Sequence, residues 1–423
     1  MRGKFRAFIM TAVLPMLLGT VVGAGPVARA SNHTTLTMWT YFTANQAENK
    51  WIMAAVDTFE HKHPGVTIQV VRQPRGAQYF SLFEAASLAK SGPDILTLWT
   101  GLYALRYSNF LLPLNHYLTA AQKKSMVGLK YTAEGFNTNN NIYGIVSELQ
   151  SYEGFYNKKL FREAGITSYP TTYTQFLKDC ALLKKHGILP MVDGNYQPYN
   201  MFSYFLMNYI TSGQVNELRT GKIKWTDSRI VDALTRYVNL YKQGYVNKNV
   251  LTNSDPAATF LNGKAAMMLD DGSWDVPVFS KAFGRNVGLM FVPQDPKAPS
   301  AGDVVSFPGW MTSVTRYSKH QQLAVQFIQD ALLPQVSDAM AKAGLVPAFN
   351  TVPASLITSP LQKELYQRTK SGKIWPMFDN LIQANIATDM TSEFGLAITN
   401  KVTPFQALQQ MEQTWAALPA NQK

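Results

Sequence analysis

Cys180 is the only cysteine among 423 residues, so no disulfide can form within the chain. An exported protein of this size without disulfides must be held by its cores, which suits a bacterial periplasm. Cys180 sits on an apolar helix face with Phe176 and Leu183 and reads as a buried filler. Long hydrophobic runs are missing too. Beyond the first thirty residues nothing is apolar for long enough to cross a bilayer. The one apolar run, Phe8 to Val22, follows Arg2, Lys4 and Arg6 and precedes Ala28-Arg29-Ala30. That pattern marks residues 1–30 as a secretory signal peptide cleaved near Ala30, and predicts a periplasmic chain. Cys180 lies far from that cleavage point, so the chain is not expected to be a lipoprotein. Dense basic runs are also absent. The formal charge is +12 at pH 7, but Arg2, Lys4, Arg6 and Arg29 belong to the signal, and the rest are isolated or paired, as in Lys123-Lys124 and Lys184-Lys185. No aromatics interleave with them, which excludes nucleic acid as an expected partner.

Enzyme signatures are missing as well. There is no Gly-x-Ser-x-Gly, no His-Glu-x-x-His, no dinucleotide glycine pattern and no phosphate loop, since Gly263-Lys264 is followed by Ala265. His61-Lys62-His63 ends a helix beside Pro64-Gly65 with no cysteine nearby, and reads as solvent-exposed rather than metal-binding. Asp270 and Asp271 are neighbours on an extended segment and point to opposite sides, a poor acid/base pair, although one could accept a ligand hydroxyl. No catalytic residue, metal or cofactor is expected.

What is present is an α/β pattern. Thr35–Tyr41 reads as a strand, and Asn45 with Glu48 resembles a helix capping box before Ile52, Ala55, Val56 and Phe59 at helical spacing. Val66–Val70 alternates as a second strand, Tyr79 to Lys90 reads as a helix, and Asp94–Trp99 as a buried third strand. Strand–helix–strand–helix–strand order demands a parallel sheet, with ligands bound beyond the carboxyl ends of the strands. A second unit repeats this architecture, with a helix to His186, the strand Ile188–Met191, the helix Arg229–Gln243, and the buried strand Ala265–Leu269 running on to Trp274. Pro293 to Pro308 reads as a loop, followed by the strand Met311–Val314, the helix Lys319–Leu333 and helices to the end. Between the units, Tyr143–Tyr156 starts as an apolar strand and turns rich in Ser147, Glu148, Gln150, Ser151 and Tyr152. A buried polar side chain without a partner costs roughly 1–3 kcal/mol, so this mixture suits a segment that leaves one unit, lines a crevice and enters another.

Aromatics and hydrogen-bonding side chains gather at strand ends: Trp39, Tyr41, Trp99, Tyr152, Trp274 and Trp310, with Asn45, Glu148, Gln150 and Asp270 or Asp271. A sugar ring offers an apolar C–H face for indole stacking and a belt of hydroxyls for amides and carboxylates. The inventory matches a carbohydrate.

Several segments carry a more specific resemblance: Leu36-Thr-Met-Trp-Thr, Gly92-Pro-Asp-Ile-Leu, Tyr143-Gly-Ile, Phe155-Tyr-Asn-Lys, Phe260-Leu-Asn-Gly-Lys-Ala-Ala-Met-Met-Leu with Gly272-Ser-Trp, Tyr317-Ser-Lys-His and Ala343-Gly-Leu-Val-Pro. In this order they resemble family 1 extracellular solute-binding proteins, the sugar-binding components of ATP-driven importers, related to maltose- and glycerol-phosphate-binding proteins. The resemblance implies a two-lobe α/β periplasmic-binding-protein fold of the maltose-binding type (type II), with three crossings near Val146–Glu148, Met290–Pro293 and Val346–Phe349. Lobe I would hold residues 31–147 and 291–346, and lobe II residues 148–290 and 347–423. It implies sugar contacts at Trp99, at Glu148 or Gln150, and at Trp274, a monomer, a polar ligand-filled interface that hinges, and permease subunits of the importer as partners. Relatives of this kind also take polyols and glycerol phosphates, so a non-sugar solute stays open, as does a secreted glycan-acting enzyme.

Overall fold

The structure, a computed structural model, describes residues 33–132, 141–194, 198–370, 373–378 and 381–420, apart from the side chains of Ala77, Asp270 and Ala384. The expected signal peptide lies outside the described residues. Among the described residues eleven strands run in chain order: β1 Thr34–Thr40, β2 Val66–Arg72, β3 Ile95–Trp99, β4 Ile145–Val146, β5 Leu149–Asn157, β6 Leu189–Val192, β7 Ala265–Gly272, β8 Val287–Met290, β9 Val304–Pro308, β10 Trp310–Val314 and β11 Ile374–Trp375. They form two sheets. The first has the order β2-β1-β3-β10-β4, with β1 parallel to both β2 and β3, and β10 antiparallel to β3 and β4. The second has the order β11-β9-β5-β7-β6, with β8 also pairing β5. The α/β class and the parallel β1–β3 order are as the pattern predicts, but β10 runs antiparallel to β3 and β4, and β5 antiparallel to β7, β8 and β9, so both sheets are mixed and the second does not repeat the parallel arrangement.

Helix starts follow local chemistry. The Asn157 side chain caps Lys158–Glu163 by accepting from the Lys159 and Leu160 amides, and Gly165 beyond that helix adopts φ 78°. Thr172 caps Tyr173–Lys185, whose inner face buries Phe176, Cys180 and Leu183. Asn45 differs from expectation. The cap of Ala47–Lys62 is Gln46, whose side-chain oxygen accepts from the Thr43 amide, so Asn45 and Glu48 form no capping box and Asn45 is exposed. The helix expected to stop at Leu333 also runs further. Gln321–Phe327 widens into a π turn over Ile328–Leu332 and continues as Leu333–Lys342. Pro334 has no amide hydrogen to give, and a wider turn accommodates that loss without ending the helix.

The chain passes between sheets after β4, after β9 and again after β10. The second passage departs from the boundary expected at Met290–Pro293. Residues 304–308 do not belong to a loop of the first lobe; as β9 they pair with β5 (Leu149↔Pro308, Gln150↔Phe307, Ser151↔Ser306) and with β11. The passage therefore lies at Gly309. The three passages lie side by side: the Ser147 amide donates to the Trp310 carbonyl (3.4 Å), Leu149 to Val346 (2.8 Å) and Ala348 to Ser147 (3.2 Å).

Two apolar clusters hold the protein. One packs Leu36, Ile52, Phe59, Leu98 and Phe327 around the first sheet and continues through Leu333, Leu345 and Val346 to Phe155, Phe260 and Phe279 on one face of the second. The other packs Phe202, Phe205, Trp225, Tyr237, Trp375 and Phe394 on the opposite face. The junction is thus apolar along its packed edge, not polar throughout. Among the described residues no helix is long and apolar enough to cross a membrane, and no three His, Cys, Asp or Glu side chains converge to hold a metal ion.

Candidate functional site

The carboxyl ends of β1 and β3 build an aromatic shelf. Register sets Trp310 opposite Trp99 across β10 and β3, with their rings 5.5 Å apart. The Tyr41 ring lies 4.6 Å from Trp310 and 6.0 Å from Trp99. Phe80 and Tyr103 pack against Trp99 at 5.0 Å each. Burial separates their roles. Tyr41 and Trp310 are buried, while Trp99 is half-buried and keeps a surface. Tyr41 also receives the Arg75 guanidinium over its face at 4.8 Å, and its hydroxyl accepts from the Gly76 amide. Trp39 is half-buried on β1 and packs on the first core, apart from this ring cluster.

At the foot of the shelf stands a row of acids. Glu148, between β4 and β5, is 1 % exposed. Burial, and then the neighbouring Glu48, push its carboxyl well above the usual carboxylate range, opposed by the hydrogen bond from Gln150. The Gln150 amide donates to Glu148 Oε1 at 3.0 Å. Glu48 is raised as well, chiefly by burial, against a backbone hydrogen bond, its contact with Glu148 and the charge of Arg75. Two buried carboxyls this close cannot both ionise cheaply, which adds to the rise at Glu148. Glu48 escaped the sequence reading as a site residue because its place in the first helical turn already had a bland explanation. Gly309 closes the row: a Cβ there would meet Gln150 Oε1 at 2.1 Å, so only glycine lets the passage lie against that amide.

The second sheet supplies a facing aromatic. β7 ends at Gly272, and Ser273–Asp275 forms a single 3₁₀ turn. Ser273 fastens the turn to β5: its hydroxyl accepts from the Ser151 amide (3.1 Å) and donates to the Leu149 carbonyl (3.3 Å). Trp274 is therefore held beside the first passage. It is 38 % exposed and meets the buried Tyr152 edge to face at 6.0 Å. A Cβ on Gly272 would lie 2.3 Å from the indole, so the ring covers that residue closely. Asp271 is buried; Asp270 lies on β7, its side chain outside the described residues.

The structure thus brings together Tyr41, Trp99, Trp310, Glu148 and Gln150 on one side, and Tyr152 with Trp274 on the other. It leaves Asn45 exposed and Trp39 apart, and it adds Glu48, Arg75, Phe80 and Tyr103. The arrangement offers ring faces over buried and half-buried hydrogen-bonding groups.

The family described as bacterial extracellular solute-binding protein matches residues 43–336. The galactooligosaccharide-binding protein of Bacillus subtilis (strain 168) is 23% identical over 432 aligned positions, covering 98% of this chain and 97% of its own. Among solved structures, a chitin oligosaccharide binding protein superposes with a TM-score of 0.77 at 24% identity, over 91% of this chain and 98% of its own. The bacterial solute receptor AcbH, described as preferring β-D-galactopyranose, superposes with a TM-score of 0.74 at 15% identity, over 91% and 98%.

Proposed function

The chain belongs to the bacterial extracellular solute-binding proteins, and from that premise we propose that it captures a neutral oligosaccharide or sugar derivative between its two lobes and delivers it to the permease subunits of an ATP-driven importer. One observation carries the choice of ligand. The half-buried Trp99 shelf and the half-exposed Trp274 both attach to the Ser147–Tyr152 passage, where the buried Glu48 and Glu148 and the half-buried Gln150 form a hydrogen-bonding row. Stacking faces flanking hydroxyl-binding groups suit a sugar, and two separate faces suit more than one ring. The relatives named above, which bind galactooligosaccharide and chitin oligosaccharide by their descriptions, support the same class. The ligand-binding residues in this reading are Trp99, Glu48, Glu148, Gln150 and Trp274, with Tyr41 and Trp310 supporting Trp99 from beneath. The first lobe would comprise residues up to 147 and 310–346, and the second 148–308 and 347 onward.

The chain acts in this reading as an exported binding protein and a monomer. A glycan-cleaving mechanism needs two carboxyls roughly 5–10 Å apart across the scissile bond, whereas Glu48 and Glu148 stand within hydrogen-bonding reach of each other. A thermal-shift panel of mono-, di- and trisaccharides, sugar alcohols and glycerol phosphates tests the proposal on purified protein. Saturable stabilisation by an oligosaccharide is the expected result. Stabilisation by glycerol phosphates or polyols alone would overturn the choice of ligand, and release of new reducing ends would overturn the binding role.

A further inference from the structure

Beside the junction of the two sheets, a groove opens between residues 120–130 and the edge strand β11. It encloses about 560 Å³, with Met126, Leu129 and Ile374 as an apolar floor and Lys123, Lys124 and Lys130 around it. Local chemistry sets the lysines there. A Thr119–Gln122 capping box starts the short helix Ala120–Ser125, and Lys123 and Lys124 occupy its last turn, where the carbonyl end favours cations. Gly128 follows at φ 74°, and a Cβ there would meet Pro308 Cδ at 2.8 Å, so only glycine lets this wall lie against β9. Lys130 stands over the Tyr131 ring at 4.9 Å, and that ring packs on Phe307 at 4.4 Å. The third passage stitches the wall down. The Val127 amide donates to the Ala348 carbonyl and the Asn350 amide to the Ser125 carbonyl, both at 2.9 Å, and the Asn350 side chain donates to the Lys124 carbonyl. The frame of the groove is therefore fixed, while Lys124 and Lys130 are exposed and Lys123 is half-buried. Among the described residues none of the three lysines pairs with a carboxylate, and no acid lines the groove. The charge of Asp303 bears on Tyr131, and the exposed Lys373 opposes it.

Three ammonium groups around one groove, without counter-charges of their own, make a positive field that draws in and orients carboxylates. The floor asks for something more, because an apolar surface of Met126, Leu129 and Ile374, extended by the lysine stems, is best covered by an apolar side chain. We propose that this groove docks an acidic polypeptide segment carrying an apolar anchor residue. The partner's carboxylates meet Lys123, Lys124 and Lys130, and its anchor fills the floor. A concave groove favours a chain over a bilayer, since a flat layer of headgroups cannot follow it down to Ile374. In the lobe division proposed above, residues 120–130 belong to the first lobe and Ile374 to the second, so a docked segment touches both. The proposal does not depend on which solute fills the cleft.

The test uses the full mature protein without sugar. The probe is a fluorescein-labelled peptide of Glu and Asp around a central Leu-Phe pair, followed by anisotropy. Saturable binding is expected, about tenfold tighter than that of the same peptide with Gln and Asn in place of its acids, and weaker at higher salt. Replacing Leu-Phe by Ser-Ser should also weaken it several-fold. Lys123→Glu combined with Lys124→Glu should reduce binding about tenfold or more, at an unchanged melting temperature. Lys130→Glu serves as the second variant if that pair disturbs the helix. Lys242→Glu with Lys248→Glu makes the same charge change at exposed positions elsewhere and should leave binding as it is. No binding, or equal losses in the groove and control variants, would overturn the proposal by reducing it to net charge. Lysine-dependent binding to phosphatidylglycerol vesicles, with none to the peptide, would overturn it in favour of a membrane surface.

Discussion

Trp274 is the tryptophan whose exposure and support differ most from a core residue. Its ring covers Gly272 and meets Tyr152, yet it is 38 % exposed and hangs from a turn fastened by Ser273. Trp274→Ala should therefore weaken oligosaccharide binding about thirtyfold, the equivalent of roughly 2 kcal/mol for a central stacking aromatic. Its melting temperature should stay near that of the wild type. A variant that melts much lower and binds normally once folded would make Trp274 a packing residue. Glu148 yields a prediction of a different kind. Its pKa, with those of Glu48, Glu153 and Asp271, is raised by burial, so the folded state holds these protons more tightly than the unfolded chain. The stability they contribute is fully present below the ordinary carboxylate range and is lost as pH climbs through the elevated folded values. The melting temperature should fall by several degrees between about pH 5 and pH 8. Glu148→Gln, which keeps the shape without the ionisation, should flatten part of that slope; an unchanged slope would show that Glu148 is ionised in the fold.

At the scale of elements, most of the fold was legible in the sequence. β1 to β3 with their helices, and β7 running into its Gly-Ser-Trp turn, declare themselves by apolar strands alternating with helical periodicity. β9 does not: Val304 to Phe307 is a good short strand, but Pro, Gly and Ser crowd in before it and Pro308 ends it, so local chemistry reads as loop. Pairing with β5 and β11, contacts remote in sequence, overrides that. The same limit hid Glu48, because nothing local says that a first-turn glutamate will meet Glu148 a hundred residues on. Long-range register made the shelf of Tyr41, Trp99 and Trp310, although each ring was visible at a strand end. Gly309 joins β9 to β10 with no room for a side chain beside Gln150. Gly309→Ala should displace Gln150, break its hydrogen bond to Glu148 and lower oligosaccharide affinity several-fold in a folded protein. Unchanged affinity by calorimetry would mean that Gln150 has slack the packing does not show.

At the scale of the whole molecule, three adjacent passages join the two sheets, and the Gln362 side-chain amide ties the third to the second lobe through the Ala341 and Leu345 carbonyls. Closure about such a ribbon can rotate one lobe on the other while the apolar seam through Leu345 and Val346 stays packed, which limits the amplitude. A ligand touching both Trp99 and Trp274 favours the closed form by the contacts it gains there. The permease of an importer could then tell loaded from empty protein by shape. Small-angle scattering during titration with a bound oligosaccharide tests this most directly. A small, saturable decrease in radius of gyration that tracks occupancy is the predicted result, and tight binding with an unchanged radius would contradict capture between the lobes.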